Sequence, residues 1–208
     1  TAIIGASGFI GSHLIRKYKS KYPDCIGTSF SSDVTNLLKF DLRNPNIKPL
    51  DLEQTGHKAV IITSFKANIP YCENEPRKAY EVNVEGILKL IKNLSQTSLK
   101  IIFLSSEYVF DGNQGKYSDN HPRAPKTAYG KHKKIIEDEI KNLTDNFLVL
   151  RLSKMYGLTK GDKTILDEAA NLLNQKKEVL AASDQYFNPT FIDDLVNAII
   201  DIQEKDLK

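Results

Sequence analysis

A doubly wound, parallel α/β sheet is the fold that this sequence predicts, and three observations predict it. Short apolar runs alternate with segments of helical periodicity; glycines punctuate the turn between the first run and the first helix; hydroxyl-bearing residues gather where the runs end. Strands of a parallel sheet are covered on both faces, so they read as continuous runs of Val, Ile and Phe rather than as every second residue. The glycine turn makes the sheet Rossmann-type. A strand that enters a helix through such a turn aims backbone N–H groups and the positive end of the helix dipole at one point, where a pyrophosphate can sit.

The first run is Ala2-Ile3-Ile4, and the turn reads Gly5-Ala-Ser-Gly-Phe-Ile-Gly11. Its Gly-x-x-Gly-x-x-Gly spacing differs from the standard Gly-x-Gly-x-x-Gly fingerprint, but the need for glycine is the same: a Cβ blocks tight turning and close approach of the ligand. Gly5, Ser7, Gly8, Phe9, Ile10 and Gly11 are the cofactor contacts expected here. A helix follows over Ser12 to Tyr22. Cys25 to Phe30, Ala59 to Thr63, Lys100 to Ser105 and Phe147 to Leu152 read as buried strands. Between them Val84, Ile87, Leu88, Ile91 and Leu94 recur at helical spacing, as do Ile135, Ile136, Ile140 and Leu143. Ligands of such sheets bind at the carboxyl ends of the strands. The glycine turn, Thr63-Ser64, Ser105-Ser106 and Leu152-Ser153 all fall there.

From Tyr156 the texture changes to a glycine-containing loop, a helix over Ile165 to Leu173, a strand over Val179 to Ala182 and a last helix over Phe191 to Ile202. The expected division is a dinucleotide-binding domain, 1–155, and a small, partial substrate-binding lobe, 156–208, with a helix returning to the core. The single methionine is Met155 and the first strand has three residues, so the start reads as incomplete, and the end, which trails off in charged residues from Asp201 to Lys208, reads so too.

The 208 residues carry 29 Lys and Arg against 26 Asp and Glu, a net charge of +3, with the two signs interspersed. That balance argues against a nucleic-acid surface. The two cysteines, Cys25 and Cys72, lie far apart without a Cys-x-x-Cys or His partner, and His13, His57, His121 and His132 share no ligand spacing; a metal site is not expected. Reduced cysteines, with no signal peptide or apolar run of membrane length, make the cytoplasm the expected compartment and a membrane partner unexpected.

A second constellation begins at Tyr129-Gly-Lys-His-Lys133. Residues at i and i+4 share a helical face, so an ammonium there can stabilise a phenolate whose unperturbed pKa is about 10. With 9 Tyr in the chain the spacing alone is weak, and Tyr156-Gly-Leu-Thr-Lys160 repeats it in a loop that fixes no common face. The first copy opens a helix and follows a strand ending in Ser105-Ser106, which can supply a third hydroxyl. Read together, Ser106, Tyr129 and Lys133 form a candidate site in which a phenol exchanges protons beside a carbonyl-orienting hydroxyl.

Five blocks then carry a resemblance: the glycine loop, Ser105-Ser-Glu-Tyr-Val-Phe-Asp-Gly112, Tyr129 to Lys133, Leu150-Arg-Leu-Ser-Lys-Met-Tyr-Gly157 and Asp184-Gln-Tyr-Phe-Asn-Pro-Thr190. In this order they resemble the extended short-chain dehydrogenase/reductases, and within them the dTDP-4-dehydrorhamnose reductase branch. The resemblance implies NADPH-dependent reduction of a keto group on a nucleotide-linked deoxysugar. Tyr129 is then the proton donor, Lys133 holds the nicotinamide ribose and lowers the tyrosine pKa, and Ser106 bonds the carbonyl. Asp41 and Leu42 resemble the pair that holds the adenine ring, and Asn83 matches an asparagine that supports the active-site region. A homodimer built on a helix pair is the implied assembly.

Ser64, an expected cofactor contact, begins a stretch Ser64-Phe65-Lys66 that replaces the small residues the family has beside the cofactor; a bulky Phe65 or Lys66 there can narrow the site or point away. Cofactor choice turns on the end of the second strand, where an NAD-selective site places an acidic residue. Here the stretch is Thr28-Ser29-Phe30-Ser31-Ser32, with Asp33 later. Hydroxyls at Ser29 and Ser31 tolerate a 2′-phosphate, which favours NADPH and leaves NAD open. Two other readings share these residues: an NAD-dependent nucleotide-sugar epimerase or dehydratase, and a non-catalytic dinucleotide-binding subunit like the regulatory subunit of methionine adenosyltransferase.

Overall fold

The computed structural model describes residues 1–31, 34–162 and 164–205. Two compact units divide the chain, Thr1–Arg151 and Leu152–Leu207.

The first unit is built on β1 (Ala2–Ile4), α1 (Phe9–Lys21), β2 (Ile26–Ser29), β3 (Leu38–Lys39), β4 (Ala59–Ile62), α2 (Ile69–Asn74), α3 (Pro76–Tyr80), a π-helical turn (Glu81–Gly86), α4 (Ile87–Leu94), β5 (Lys100–Ser106), α5 (Ala128–Leu143) and β6 (Phe147–Leu152). The strands lie in the order β3-β2-β1-β4-β5-β6. β1 pairs in parallel with β2 on one side and with β4 on the other, Ile4 opposite Ile62. The chain therefore leaves β1 in one direction and returns in the other, and this switch opens a crevice at the carboxyl ends of β1 and β4.

Burial follows the apolar pattern. Ile87, Leu90, Ile91 and Leu94 line one face of α4 at i, i+3, i+4 and i+7, and all are fully buried in one cluster with Ile4, Val60, Ile62, Ile101, Phe103, Ile136 and Ile140. Each such side chain contributes about 1.5–3 kcal/mol when taken wholly out of water. Leu14 and Tyr18 of α1 are equally buried.

The structure corrects several sequence expectations. α1 begins at Phe9, not Ser12, because the packing of Gly11 against the preceding turn holds a segment whose own helix propensity is poor. The segment between β4 and α4, which carries only the periodicity from Val84 onward, is helical from Ile69. β3 has only two residues, Leu38 and Lys39, both exposed, and is too short to read as a strand from its sequence. In the second unit, β7 (Met155–Tyr156) pairs in parallel with β8 (Thr190–Phe191), followed by α7 (Ile192–Glu204), and α6 (Ile165–Asn174) lies between the strands in sequence. Val179 to Ala182 is not a strand. Leu180 is 92% exposed and no neighbouring strand offers it a ladder, so an apolar run alone does not suffice. No helix of the described residues is long and apolar enough to cross a membrane.

One close approach sets the position of α5. An ideal Cβ on Gly130 lies 2.1 Å from the carbonyl oxygen of Tyr108, in the 3-10 turn Glu107–Val109 that ends β5, so only glycine lets the helix press on that backbone. Farther along, Glu137 is buried and accepts from Ser105 Oγ (2.5 Å), Arg123 (2.9 Å) and Arg151 (2.8 Å). Gly130→Ala is expected to lower stability by about 1–3 kcal/mol through overpacking against backbone, read as a fall in the urea midpoint at unchanged slope. An unchanged midpoint contradicts the close approach.

Candidate active site

The glycine turn forms a cradle that side chains would fill. Gly5 has φ +95°, and an ideal Cβ on it lies 2.7 Å from Ser64; one on Gly11 lies 2.2 Å from the Gly5 carbonyl oxygen. Gly8, the N-cap of α1, has only that oxygen nearby, at 3.5 Å, and leaves the cradle open. No side chain caps α1 and no acidic residue occupies its first turn, so the helix terminus keeps its affinity for an anion. Ser7 is exposed at the turn, Phe9 and Ile10 are half-buried, and Phe9 lies edge-on to His13. Across the switch, Thr63 and Ser64 donate their N–H groups to the Ile4 carbonyl, both at 2.9 Å, and Thr63 Oγ1 donates to Gly5. The residues present fit a dinucleotide pyrophosphate.

Toward the far side of the cradle, Ser29 is buried and its hydroxyl donates to Ser7 Oγ at 3.0 Å, while Ser31 is exposed. Ser32 and Asp33 lie outside the described residues. Phe30 is 63% exposed beneath the Arg43 guanidinium, 5.2 Å from its ring centre. Arg43 in turn grips Asp41 through three side-chain bonds, which hold the Asp41 carboxyl below its usual range. Leu42 is buried, its side chain part of the core.

Ser106, Tyr129 and Lys133 come together where β5 ends and α5 begins. Thr127 Oγ1 accepts from the Gly130 N–H at 3.1 Å and Glu73 accepts from Ala128 N–H at 2.7 Å, which fixes the first turn of α5. Tyr129 stands on that turn with the Phe65 ring edge-on at 5.5 Å and the Tyr108 ring at 5.7 Å. Burial pushes the Tyr129 phenol up to about 12, against the pull of a hydrogen bond from Ser106. Ser106 is itself buried and accepts from the Tyr108 N–H at 3.3 Å.

Lys133 is 4% exposed. Its Nζ donates to the Leu104 carbonyl at 2.6 Å and sits 3.6 Å from the centre of the Phe65 ring and 4.7 Å from that of Phe103. The Tyr129 ring centre is farther, at 5.8 Å. Burial lowers the amine to about 7, with Glu137 pulling it back up. The i, i+4 spacing does put both side chains on one face, but the amine is engaged by Leu104 and Phe65. The second Tyr-x-x-x-Lys copy runs from β7 into a loop, and shares no helical face.

Two positions, Gly130 and Glu137, escaped the sequence reading. Phe65 is flagged there as bulky, but its direction depends on its anchors: Asn83, fully buried, accepts from Lys66 N–H (2.7 Å) and donates to Lys66 O (3.1 Å). Gly130 left a signal only as a glycine inside a helix. Glu137 could have been found as the third polar residue of a series, Tyr129, Lys133, Glu137, at four-residue intervals.

The buried amine carries a pH signature. Its folded value of about 7 lies below the ordinary 10.5, so between these limits the unfolded chain holds a proton that the folded chain lacks. Stability thus rises with pH across that window, and below about 7 the folded state bears the full burden of a buried ammonium. Lys133→Met is expected to remove the slope and to stabilise the chain by about 1–3 kcal/mol at the acidic end. Urea unfolding at pH 6 and pH 9 reads both, and a slope that survives the substitution assigns it to another group.

Comparison with known proteins accords with this geometry. A family model described as RmlD substrate binding domain matches residues 1–208. A dTDP-4-dehydrorhamnose reductase of Aggregatibacter actinomycetemcomitans is 28% identical over 194 residues, 86% of this chain and 64% of that protein. The methionine adenosyltransferase 2 subunit beta of Xenopus tropicalis is 24% identical over 220 residues, 99% of this chain and 62% of that protein. The chain spans less than two thirds of the length of these two relatives. A crystal structure of dTDP-4-dehydrorhamnose reductase from Bacillus anthracis, in complex with NADP, matches with a TM-score of 0.86 at 22% identity over 99% of this chain and 70% of that one. With the six-stranded sheet, the glycine cradle and a family match over its whole length, the chain belongs to the RmlD substrate binding domain family, within the extended short-chain dehydrogenase/reductases.

Proposed function

We propose that this chain carries the cofactor cradle and proton-transfer groups of an NADPH-dependent reductase acting on the keto group of a nucleotide-linked deoxysugar, as in the dTDP-4-dehydrorhamnose reductases. The observation that carries the proposal is the convergence of Ser106, Tyr129 and Lys133 at the carboxyl end of β5, within the same compact unit as the open glycine cradle. The cradle binds the cofactor pyrophosphate through the backbone of Gly5 to Gly11 and the N-terminus of α1. A bound nicotinamide supplies the hydride.

The chain's own residues handle the proton. A carbonyl oxygen that gains negative charge needs hydrogen-bond donors positioned in advance and then a proton. Ser106 Oγ is the positioned donor. Tyr129, kept protonated by its surroundings, delivers its phenolic proton to the new alkoxide, and Ser106 then stabilises the phenolate that remains. Lys133, one helical turn along, is placed to hold the cofactor's ribose hydroxyls and to return charge support to Tyr129 once released from Leu104. The absence of an acidic residue from Thr28 to Ser31 supports NADPH over NAD.

A second reading, a dinucleotide-binding subunit without turnover, is favoured by the likeness, over 99% of this chain, to a methionine adenosyltransferase subunit. One substitution separates the two. Tyr129→Phe is expected to lower turnover of a keto-sugar nucleotide by about 10²–10⁴-fold, the contribution of general acid catalysis, while NADPH binding by fluorescence titration stays within twofold (about 0.4 kcal/mol). Full biological activity without the phenol would falsify the reductase reading.

A further inference from the structure

Phe65 faces the one lysine that the proposed chemistry requires. Its backbone is held on both sides: Thr63 and Ser64 are bonded to Ile4, and Lys66 is clamped through both of its peptide groups by the buried Asn83. The segment lies against the glycine cradle, where Ser64 approaches Gly5. With the backbone fixed, the freedom left to Phe65 is rotation of its half-buried side chain.

In the structure that ring lies face-on to Lys133 Nζ at 3.6 Å and edge-on to Tyr129 at 5.5 Å. The face of an aromatic ring attracts an ammonium, most strongly where water is excluded. The Leu104 carbonyl takes one of the amine's hydrogens at 2.6 Å, and the Phe65 and Phe103 rings cover the rest. The amine is thus held by one acceptor and by ring faces, and Phe65 belongs to the segment that meets the cradle at Ser64.

We propose that Phe65 is a positioning residue that parks Lys133 against Leu104, and that a dinucleotide gains the amine only by turning this ring aside. The inference rests on the dinucleotide reading above and adds a step to it: cofactor binding and release of the lysine are one event. A protein whose binding-competent form is a minor population shows an affinity reduced by that fraction. Removing the ring makes the competent form dominant.

The test uses Phe65→Ala, Phe65→Leu and Phe65→Tyr. NADPH affinity and association rate are followed by the cofactor's own fluorescence, which no tryptophan obscures in a chain with 0 Trp. Access to Lys133 is read by reductive methylation and peptide mass spectrometry, with the exposed lysines as internal controls. Phe65→Ala is expected to bind NADPH about tenfold tighter and faster and to expose Lys133 to labelling, with Phe65→Leu showing the same exposure at retained bulk. Phe65→Tyr keeps the ring face and is expected to behave as the natural chain.

Unchanged or weaker NADPH binding in Phe65→Ala and Phe65→Leu overturns the proposal, whether or not Lys133 becomes accessible. If the natural chain binds NADPH and Lys133 is labelled at the same rate in every variant, the ring does not park the amine and the dinucleotide reading stands alone. If neither the natural chain nor any variant binds NADPH, the dinucleotide reading itself fails and takes the proposal with it.

Discussion

A buried helical face that carries three polar side chains organises the site. Tyr129, Lys133 and Glu137 follow one another at four-residue intervals on the inner side of α5, where an unpaired polar group costs several kcal/mol and an unpaired charge more (about 2–7 kcal/mol for the former). Each finds its partner on three consecutive residues of β5: Tyr129 on Ser106, Lys133 on the Leu104 carbonyl, Glu137 on Ser105. The contact of α5 with the end of β5 is therefore specified by chemistry as much as by apolar packing. Gly130 permits the helix to press on the backbone at Tyr108, beside these partners.

The three partnerships differ in strength, and the differences assign roles. Glu137 is met by two guanidinium groups and a hydroxyl, and the net result is a carboxyl held below its usual range. Its contribution to stability is present above the ordinary carboxylate pKa and is lost as pH falls through the lower folded value. It is an anchor. Lys133 has a carbonyl and aromatic faces, which attract an ammonium without supplying a full counter-charge, so desolvation prevails and the amine sits near neutrality. Tyr129 has one hydroxyl and remains a protonated phenol. The charged member of the series thus fixes the helix, and the two members nearest the cradle are left in states that a ligand can change.

The sheet and its glycine turn were legible because both are written in local sequence. Strands buried on both faces leave continuous apolar runs, and Gly5, Gly8 and Gly11 mark a turn that excludes side chains. The i, i+4 relation of Tyr129 and Lys133 was legible for the same reason, since helical periodicity alone puts them on one face. What their side chains touch was not. The amine's engagement depends on Leu104 and Phe65, which are 29 and 68 residues away in sequence, and the direction of Phe65 depends on Asn83 in a π-helical turn that no periodicity announces. The Val179 to Ala182 run shows the opposite failure: its composition suits a strand, but pairing requires a neighbour, and β7 is paired by Thr190–Phe191 instead.

A reductase needs a proton donor that stays loaded until hydride arrives and becomes acidic only then. A phenol raised to about 12 beside an amine lowered to about 7 meets the first condition, because neither group stabilises a phenolate while the amine is held by Leu104 and Phe65. The second condition requires positive charge near Tyr129, and the amine one turn away is the group within reach. Its present engagement therefore does not argue against a catalytic role. On the proposed reductase reading it is a resting site in which the proton is kept on oxygen, and in which the charge that would release it is stored on the same helical face.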